Sequence, residues 1–171
     1  MKQELHVFFD YICPYCLTAH QYLKELIPQL SETAIIWHPC ESHPRPEPFH
    51  PHSDLSIQGY FYAAEHGVDS FTYHDRMYQA VHKDHINIEE IDVLTGYVRD
   101  LVDADGFKSA LLQGRYQKKR KESNVLAFEQ SGVWAVPAYR MGEDKLDAVE
   151  GVGVSKDQLS DFIKNDWEVL R

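Results

Sequence analysis

Hydrophobic positions along the chain change period several times, and each change marks an element. Leu5-His6-Val7-Phe8-Phe9 is a run of strand formers, and Asp10, Cys13 and Pro14 directly after it read as the end of a strand and the start of a helix. Pro14 suits a first helical turn, where a missing amide proton leaves nothing unpaired. From Leu17 to Leu30 the apolar residues Leu17, Tyr22, Leu23, Leu26, Ile27 and Leu30 recur at helical spacing, with Pro28 near a kink or end. Ala34-Ile35-Ile36-Trp37-His38 predicts a second strand. The short crossover makes the two strands parallel and their connection right-handed.

Pro39 to Pro51 holds five of the eight prolines, with His43 and His50 among them and His52 directly after, which predicts a stiff, extended loop. Beyond it come helical patterns without strand-like runs. One helix is expected from near Leu55 to Gly67. The next has Ser70 as its cap and Phe71, His74, Tyr78 and Val81 on one face. Asn87 and Glu90 have capping-box spacing before the stripe Ile91, Leu94, Val98 and Leu101. Asp105 is placed as the cap of a short helix ending near Gly114, and Tyr116 to Gln130 as a further helix closed by Gly132.

Strand character then returns. Val133 to Met141 reads as one strand, Gly142-Glu143-Asp144 as a turn, and Asp147-Ala148-Val149-Glu150 as the hairpin partner. The last helix opens on the box Ser155-Lys156-Asp157-Gln158 and buries Leu159, Phe162, Ile163 and Trp167. The order is β-α-β, a helical insertion at about 54–131, then β-β-α. That order predicts an α/β protein with a mixed sheet, parallel strands first and a hairpin second, flanked by helices.

The 171 residues fit one domain spanning 1–171, and 43% hydrophobic and 12% aromatic content suffices for a packed core. A formal net charge of −10 opposes nucleic-acid binding, since a polyanion would be repelled by the summed field. The one basic cluster, Lys118, Lys119, Arg120 and Lys121, is expected to be a solvated helix face. No apolar run approaches the roughly 18 residues that span a bilayer, so no membrane partner is expected. Met1 to His6 leads into strand-like sequence without an export leader, which makes a cytoplasmic address the expectation.

Three cysteines are too few for a structural disulfide framework, so a close pair points to chemistry. Cys13 and Cys16, three apart at a helix start, put the first sulfur where free backbone amides and the positive end of the helix dipole favour thiolate. Cys16 lies one turn along on the same face, able to attack a mixed disulfide on Cys13. Pro14 and Tyr15 between them tune the potential. The other readings are an inert buried pair, or half a zinc site. Zinc needs a second close ligand pair, yet no second CxxC or good His-x-x-x-His spacing appears, and Cys40, His43, His50 and His52 are the nearest candidates; no metal site is assigned. Pro137 sits within a strand-like run, where it would break the ladder unless it occupied an edge or followed a cis bond.

The strand, Asp10-Tyr11-Ile12-Cys13-Pro14-Tyr15-Cys16, the helical insertion and Gly132-Val133-Trp134-Ala135-Val136-Pro137-Ala138 together resemble the DsbA family of thioredoxin-fold proteins, and within it the FrnE-like dithiol-disulfide isomerase group. The resemblance covers essentially the whole chain. It implies a thioredoxin-like fold and thiol-disulfide exchange with protein or small-thiol substrates. It also implies that Cys13 is the attacking thiol, Cys16 the resolving thiol, and Pro137 a cis-proline facing them, with the backbone of Val136 pairing with an extended substrate strand. No cofactor beyond the redox-active Cys13-Cys16 pair is implied, with glutathione a possible co-substrate. The chain lacks the second cysteine pair that some FrnE-like proteins carry near the C-terminus. It also has Val7 where periplasmic relatives place a buried acid; the nearest ionisable groups are His6 and Asp10, and Asp10 would raise the pKa of Cys13 if close.

His20, one turn beyond Cys16, either steadies a thiolate when protonated or is a surface or partly buried histidine. The Pro39 to Pro51 loop leaves the carboxyl end of a parallel strand and is placed to wall the Cys13 cleft. Cys40 is expected to be a small buried apolar residue. Tyr60, Phe61, Tyr62, Phe71, Tyr73 and Tyr78 are expected to pack in the core. Two other functions fit the same residues. One is a glutathione-dependent isomerase or transferase resembling 2-hydroxychromene-2-carboxylate isomerases and kappa-class transferases, which usually carry serine where Cys13 stands. The other is a non-enzymatic module whose thiols sense redox state or bind metal.

Overall fold

The structure, a computed structural model, describes residues 3–169, with side chains described as far as residue 164. Four strands, β1 (Gln3–Phe9), β2 (Thr33–Pro39), β3 (Ala138–Met141) and β4 (Asp144–Asp147), form one sheet in the order β2-β1-β3-β4. β1 and β2 are parallel, with Val7 opposite Trp37. β3 runs antiparallel to both neighbours, pairing Val7 with Tyr139 and Arg140 with Lys145. The mixed sheet with helices around it is the expected α/β arrangement, and β1 at its centre buries Leu5, Val7, Phe8 and Phe9.

Helix α1 (Pro14–Glu25) crosses from β1 to β2. It stops ahead of Pro28, which lacks an amide proton and disfavours helical backbone at Ile27, and the chain tightens into a 3-10 turn over Ile27–Leu30. Five helices, α2 (Asp54–Glu65), α3 (Ser70–His82), α4 (Ile91–Tyr97), α5 (Ala104–Leu112) and α6 (Gln117–Asn124), lie between β2 and β3. α6 runs on as a π-helical turn over Val125–Gln130, and Gly132 at φ 62 ends it. The last helix, α7 (Lys156–Val169), packs on α1. Its box forms as read, Ser155 N–H donating to Gln158 Oε1 at 2.9 Å and Gln158 N–H to Ser155 Oγ at 3.1 Å. Leu159 and Ile163 are buried and Phe162 half-buried; the side chain of Trp167 lies outside the described residues.

Several expectations need correction. Asp69, not Ser70, caps α3, because its carboxylate accepts the Thr72 N–H; Asp103, not Asp105, does the same for α5 through Gly106. Asn87 accepts the Glu89 N–H at 3.1 Å, and Glu90 caps α4 without a side-chain bond, so no capping box forms there. Val133 to Pro137 is not strand: Pro137 has no N–H to give a ladder, and β3 begins only at Ala138. A tight turn with Gly142 at φ 59 then pairs Met141 with Asp144, which moves β4 three residues ahead of the expected partner. The basic cluster is not wholly solvated either. Arg120 turns inward to the buried carboxylate of Glu41, which also accepts from Asn124 Nδ2 at 2.7 Å, tying α6 to the end of β2.

The helical block is joined to the sheet by aromatic packing. Phe9 and Trp37 meet His74 edge-on at ring separations of 4.7 and 4.4 Å, and Tyr11 meets Tyr78 at 5.5 Å. Tyr60, Tyr62, Tyr73 and Tyr78 are buried as expected, while Phe61 and Phe71 are half-buried. Among the described residues no helix is long and apolar enough to cross a membrane.

Candidate active site

Cys13 is the N-cap of α1, with extended backbone at φ −87 and ψ 119, and Pro14 follows as the first helical residue. The sulfur therefore sits at the open end of the helix, where the amides have no partners in the turn before them. Cys13 is half-buried, Cys16 is 1% exposed, and both are free thiols. Their acidities are driven apart. A hydrogen bond from the Cys16 thiol holds Cys13 below the ordinary thiol range, helped by the amides of Cys16 and Tyr15 and opposed by burial and the Asp10 charge. Burial pushes Cys16 well above that range, and donating its proton to Cys13 pushes it further.

The thiol of Cys13 also reaches the carbonyl oxygen of Val136 at 3.8 Å, so the segment before Pro137 lies against the helix start. The Val136-Pro137 peptide is cis. A cleft of about 370 Å3 opens over Cys13, walled by Tyr15, Phe49, Trp134, Val136 and Glu150. The proline-rich loop does wall the cleft, through Ser42, His43 and Phe49, with the His43 and Phe49 rings stacked 4.0 Å apart. Trp134, 85% exposed, is a wall residue that the pattern of the chain does not mark; its only signal there is its place two residues ahead of Val136.

Asp10 is fully buried and accepts from Ser42 N–H and Ser42 Oγ at 2.8 Å each and from Ile12 N–H at 3.3 Å. Burial nonetheless outweighs these bonds and raises its pKa. Its charge raises the pKa of Cys13, Cys16 and Cys40, as expected of a close acid. Cys40 is buried, with its thiol on the Phe9 carbonyl at 3.6 Å, and burial raises its pKa well above the ordinary value.

His20 is not a surface histidine. At 6% exposure it is packed against Trp37, Phe71, His74 and Tyr78, and its Nε2 meets Asp75 Oδ1 at 2.8 Å. Burial lowers its pKa despite Asp75, so it is neutral near pH 7 and carries no charge with which to steady Cys13. His50, His52 and Glu89 bring one potential ligand atom each within 4.8 Å of one another. Arg45 Nη2 already sits 2.8 Å from Glu89 Oε1, which makes this cluster an ion-paired tie between the loop and the helical block.

The model of the DSBA-like thioredoxin domain family matches residues 4–164. The chain is 25% identical to the uncharacterized protein YwbO of Bacillus subtilis (strain 168), covering 94% of this chain and 98% of that one. Among solved structures, a probable DsbA oxidoreductase from Streptomyces coelicolor superposes with a TM-score of 0.80 at 12% identity, covering 97% of this chain and 90% of that one. DsbA of Chlamydia trachomatis gives 0.72 at 14% identity, over 98% and 87%. DsbA of Pseudomonas aeruginosa gives 0.65 at 19% identity, over 99% and 86%. At these identities the structures speak for the fold.

Proposed function

The chain belongs to the DSBA-like thioredoxin domain family, and from that premise we propose that it exchanges disulfides through the Cys13-Cys16 pair. The observation that carries this reading is the placement of two free thiols one helical turn apart: half-buried Cys13 at the N-cap of α1, 3.8 Å from the Val136 carbonyl oxygen, beside Cys16 at 1% exposure. Cys13 attacks a substrate disulfide as thiolate, forming a mixed disulfide and releasing one substrate thiol. Cys16 then attacks Cys13, the second substrate thiol leaves, and the pair is oxidised as the substrate is reduced. The reverse sequence oxidises a dithiol.

Substrates are protein or small thiols and disulfides, glutathione among them, seated in the cleft beside Trp134 and Phe49. Backbone atoms of Val136 pair with an extended segment, giving affinity with little sequence demand. A reducing, cytoplasmic setting fits a chain with three cysteines, while the FrnE-like group rests on the resemblance of the Asp10 to Cys16 and Gly132 to Ala138 motifs. Asp10, which disfavours thiolate, supports a potential less oxidising than that of the strongest disulfide donors.

Iodoacetamide labelling of Cys13 against pH tests the reading. Its midpoint is expected below the value of about 8.5 for free cysteine, and Cys16→Ser is expected to accumulate the Cys13 mixed disulfide with oxidised glutathione. A midpoint at or above that value, with no adduct formed, would overturn it.

A further inference from the structure

Resolution requires Cys16 to lose a proton from a buried site while substrate occupies the cleft over Cys13. A second, small cavity of about 10 Å3, sharing no lining residue with that cleft, is walled by Cys16, His20, His74, Tyr78, Pro137 and Tyr139 among others. That is about the room one water needs, and the walls offer the polar partners a buried water requires. One of them, His74, is fully buried and bonds Tyr11 through Nδ1 at 2.8 Å, while its Nε2 has no partner among the described residues. On the outer side a surface groove of about 260 Å3 runs between α1 and α3, lined by Lys24, Asp75, Gln79, His82 and Lys83. His20 and Tyr78 line both spaces and form the partition between them.

We propose that His20, oriented by Asp75, is the base that takes the Cys16 proton through the inner cavity during resolution and passes it to the surface groove. The inference rests on the disulfide-exchange reading and adds the proton route that reading lacks. Cys16 and His20 are four residues apart on one helix, hence on one face. With Nε2–H donating to Asp75 Oδ1, the neutral ring keeps Nδ1 as an acceptor. The other candidates are less suited. Asp10 already accepts three hydrogen bonds. His74 would hold a cation where burial and the neighbouring His20 both oppose it, with no carboxylate bonded to it. His20 alone has a counter-ion that leads outward, Asp75, itself paired with Lys24 at 2.8 Å.

The step balances. The Cys16 Sγ–H proton goes by way of one water to His20, the Cys16 sulfur bonds to Cys13 as the Cys13-to-substrate bond breaks, and the substrate departs with that electron pair as a thiolate. The titratable and charged groups facing His20 are Cys16 and Lys24 from α1, His74, Asp75 and Tyr78 from α3 and, across the inner cavity, Tyr139 from β3, with His82 and Lys83 across the groove.

The test is rapid-quench measurement of mixed-disulfide formation and decay with oxidised glutathione, from pH 5 to 8, for the wild type, His20→Gln and the half-exposed Asp75→Asn. Wild-type decay is expected to slow as pH falls through an ionisation below 6.5, since burial lowers the His20 pKa. His20→Gln is expected to slow decay by on the order of a hundredfold and abolish that pH limb, with Cys13 alkylation unchanged. Asp75→Asn is expected to move the limb to lower pH, because Asp75 raises the His20 pKa. Decay in His20→Gln within twofold of the wild type, or a limb unmoved in Asp75→Asn, overturns the proton route and leaves disulfide exchange standing. Absence of any Cys13 adduct in Cys16→Ser with oxidised glutathione overturns both.

Discussion

Gly153 lies against the ring of Tyr15: a β-carbon on Gly153 would stand 2.9 Å from Tyr15 Cδ1 and 3.2 Å from Tyr15 Cβ, at a backbone φ of +85. Tyr15, one of the two residues between the cysteines, is thus braced by the loop that follows β4, through an approach only glycine permits.

Gly153→Ala is therefore expected to destabilise the fold by about 1–3 kcal/mol, from backbone strain and the close contact together. It should also change the Cys13 alkylation rate, because Tyr15 must shift at the cleft wall. Gly151→Ala is the control. Gly151 has φ +75 with nothing within 4 Å, so strain acts there without touching Tyr15. Equal effects of the two variants on Cys13 reactivity, alongside denaturation curves, would refute the brace.

Asp10→Asn removes a buried charge that opposes thiolate at Cys13 and Cys16. The Cys13 alkylation midpoint should fall, and the Cys13-Cys16 couple should become more oxidising in equilibration with glutathione, because the reduced, ionised form is favoured. Since the folded pKa of Asp10 is raised above 3.8, its contribution to stability is fully present below that value and is lost as pH rises through the folded pKa. The variant should accordingly gain on the wild type with rising pH. An alkylation midpoint that stays in place or rises would show that the Asp10 charge does not reach Cys13.

Glu89 ties the proline-rich loop to the helical block through Arg45, His50 and His52. Burial alone would raise its pKa, but hydrogen bonds from His50 and His52, with the charges of His50 and Arg45, bring it to about 2. Its stabilisation holds above the ordinary value of 4.5 and fades as pH falls toward 2. His52 is raised from 6.5, first by its bond to Glu89, so its contribution holds below 6.5 and fades as pH rises through the folded pKa. Glu89→Gln should then destabilise by about 1–2 kcal/mol between pH 5 and 6, with Arg45 and His50 screened by solvent, and by less near pH 8. Urea denaturation at the two pH values measures this, and a larger loss at pH 8 would contradict it.

Much of the site is legible along the chain because its parts are local. A strand running into Cys13-Pro14-Tyr15-Cys16 sets the helix start, the N-cap position of Cys13 and the one-turn spacing to Cys16, all within a few bonds of backbone geometry. The β-α-β unit, the helical insertion and the box at Ser155 follow from periodicity and capping chemistry in the same way. Strand register was legible only in part, since Pro137 stands in the chain as a plain ladder-breaker, yet only pairing with β1 and β4 decides that β3 starts at Ala138.

What tertiary structure alone decided is electrostatic and long-range. Asp10 is closed off from solvent, with its carboxylate bonded, because Ser42, thirty-two residues on, folds back over it. His20 faces a cavity rather than solvent because α3, more than fifty residues away, lays Asp75 and His74 across α1. Arg120 leaves an otherwise solvated face because Glu41 is buried beneath it. Spacing along a chain specifies which side chains share a helix face. The burial and partners that set acidity depend on contacts between segments far apart in sequence, which periodicity does not encode.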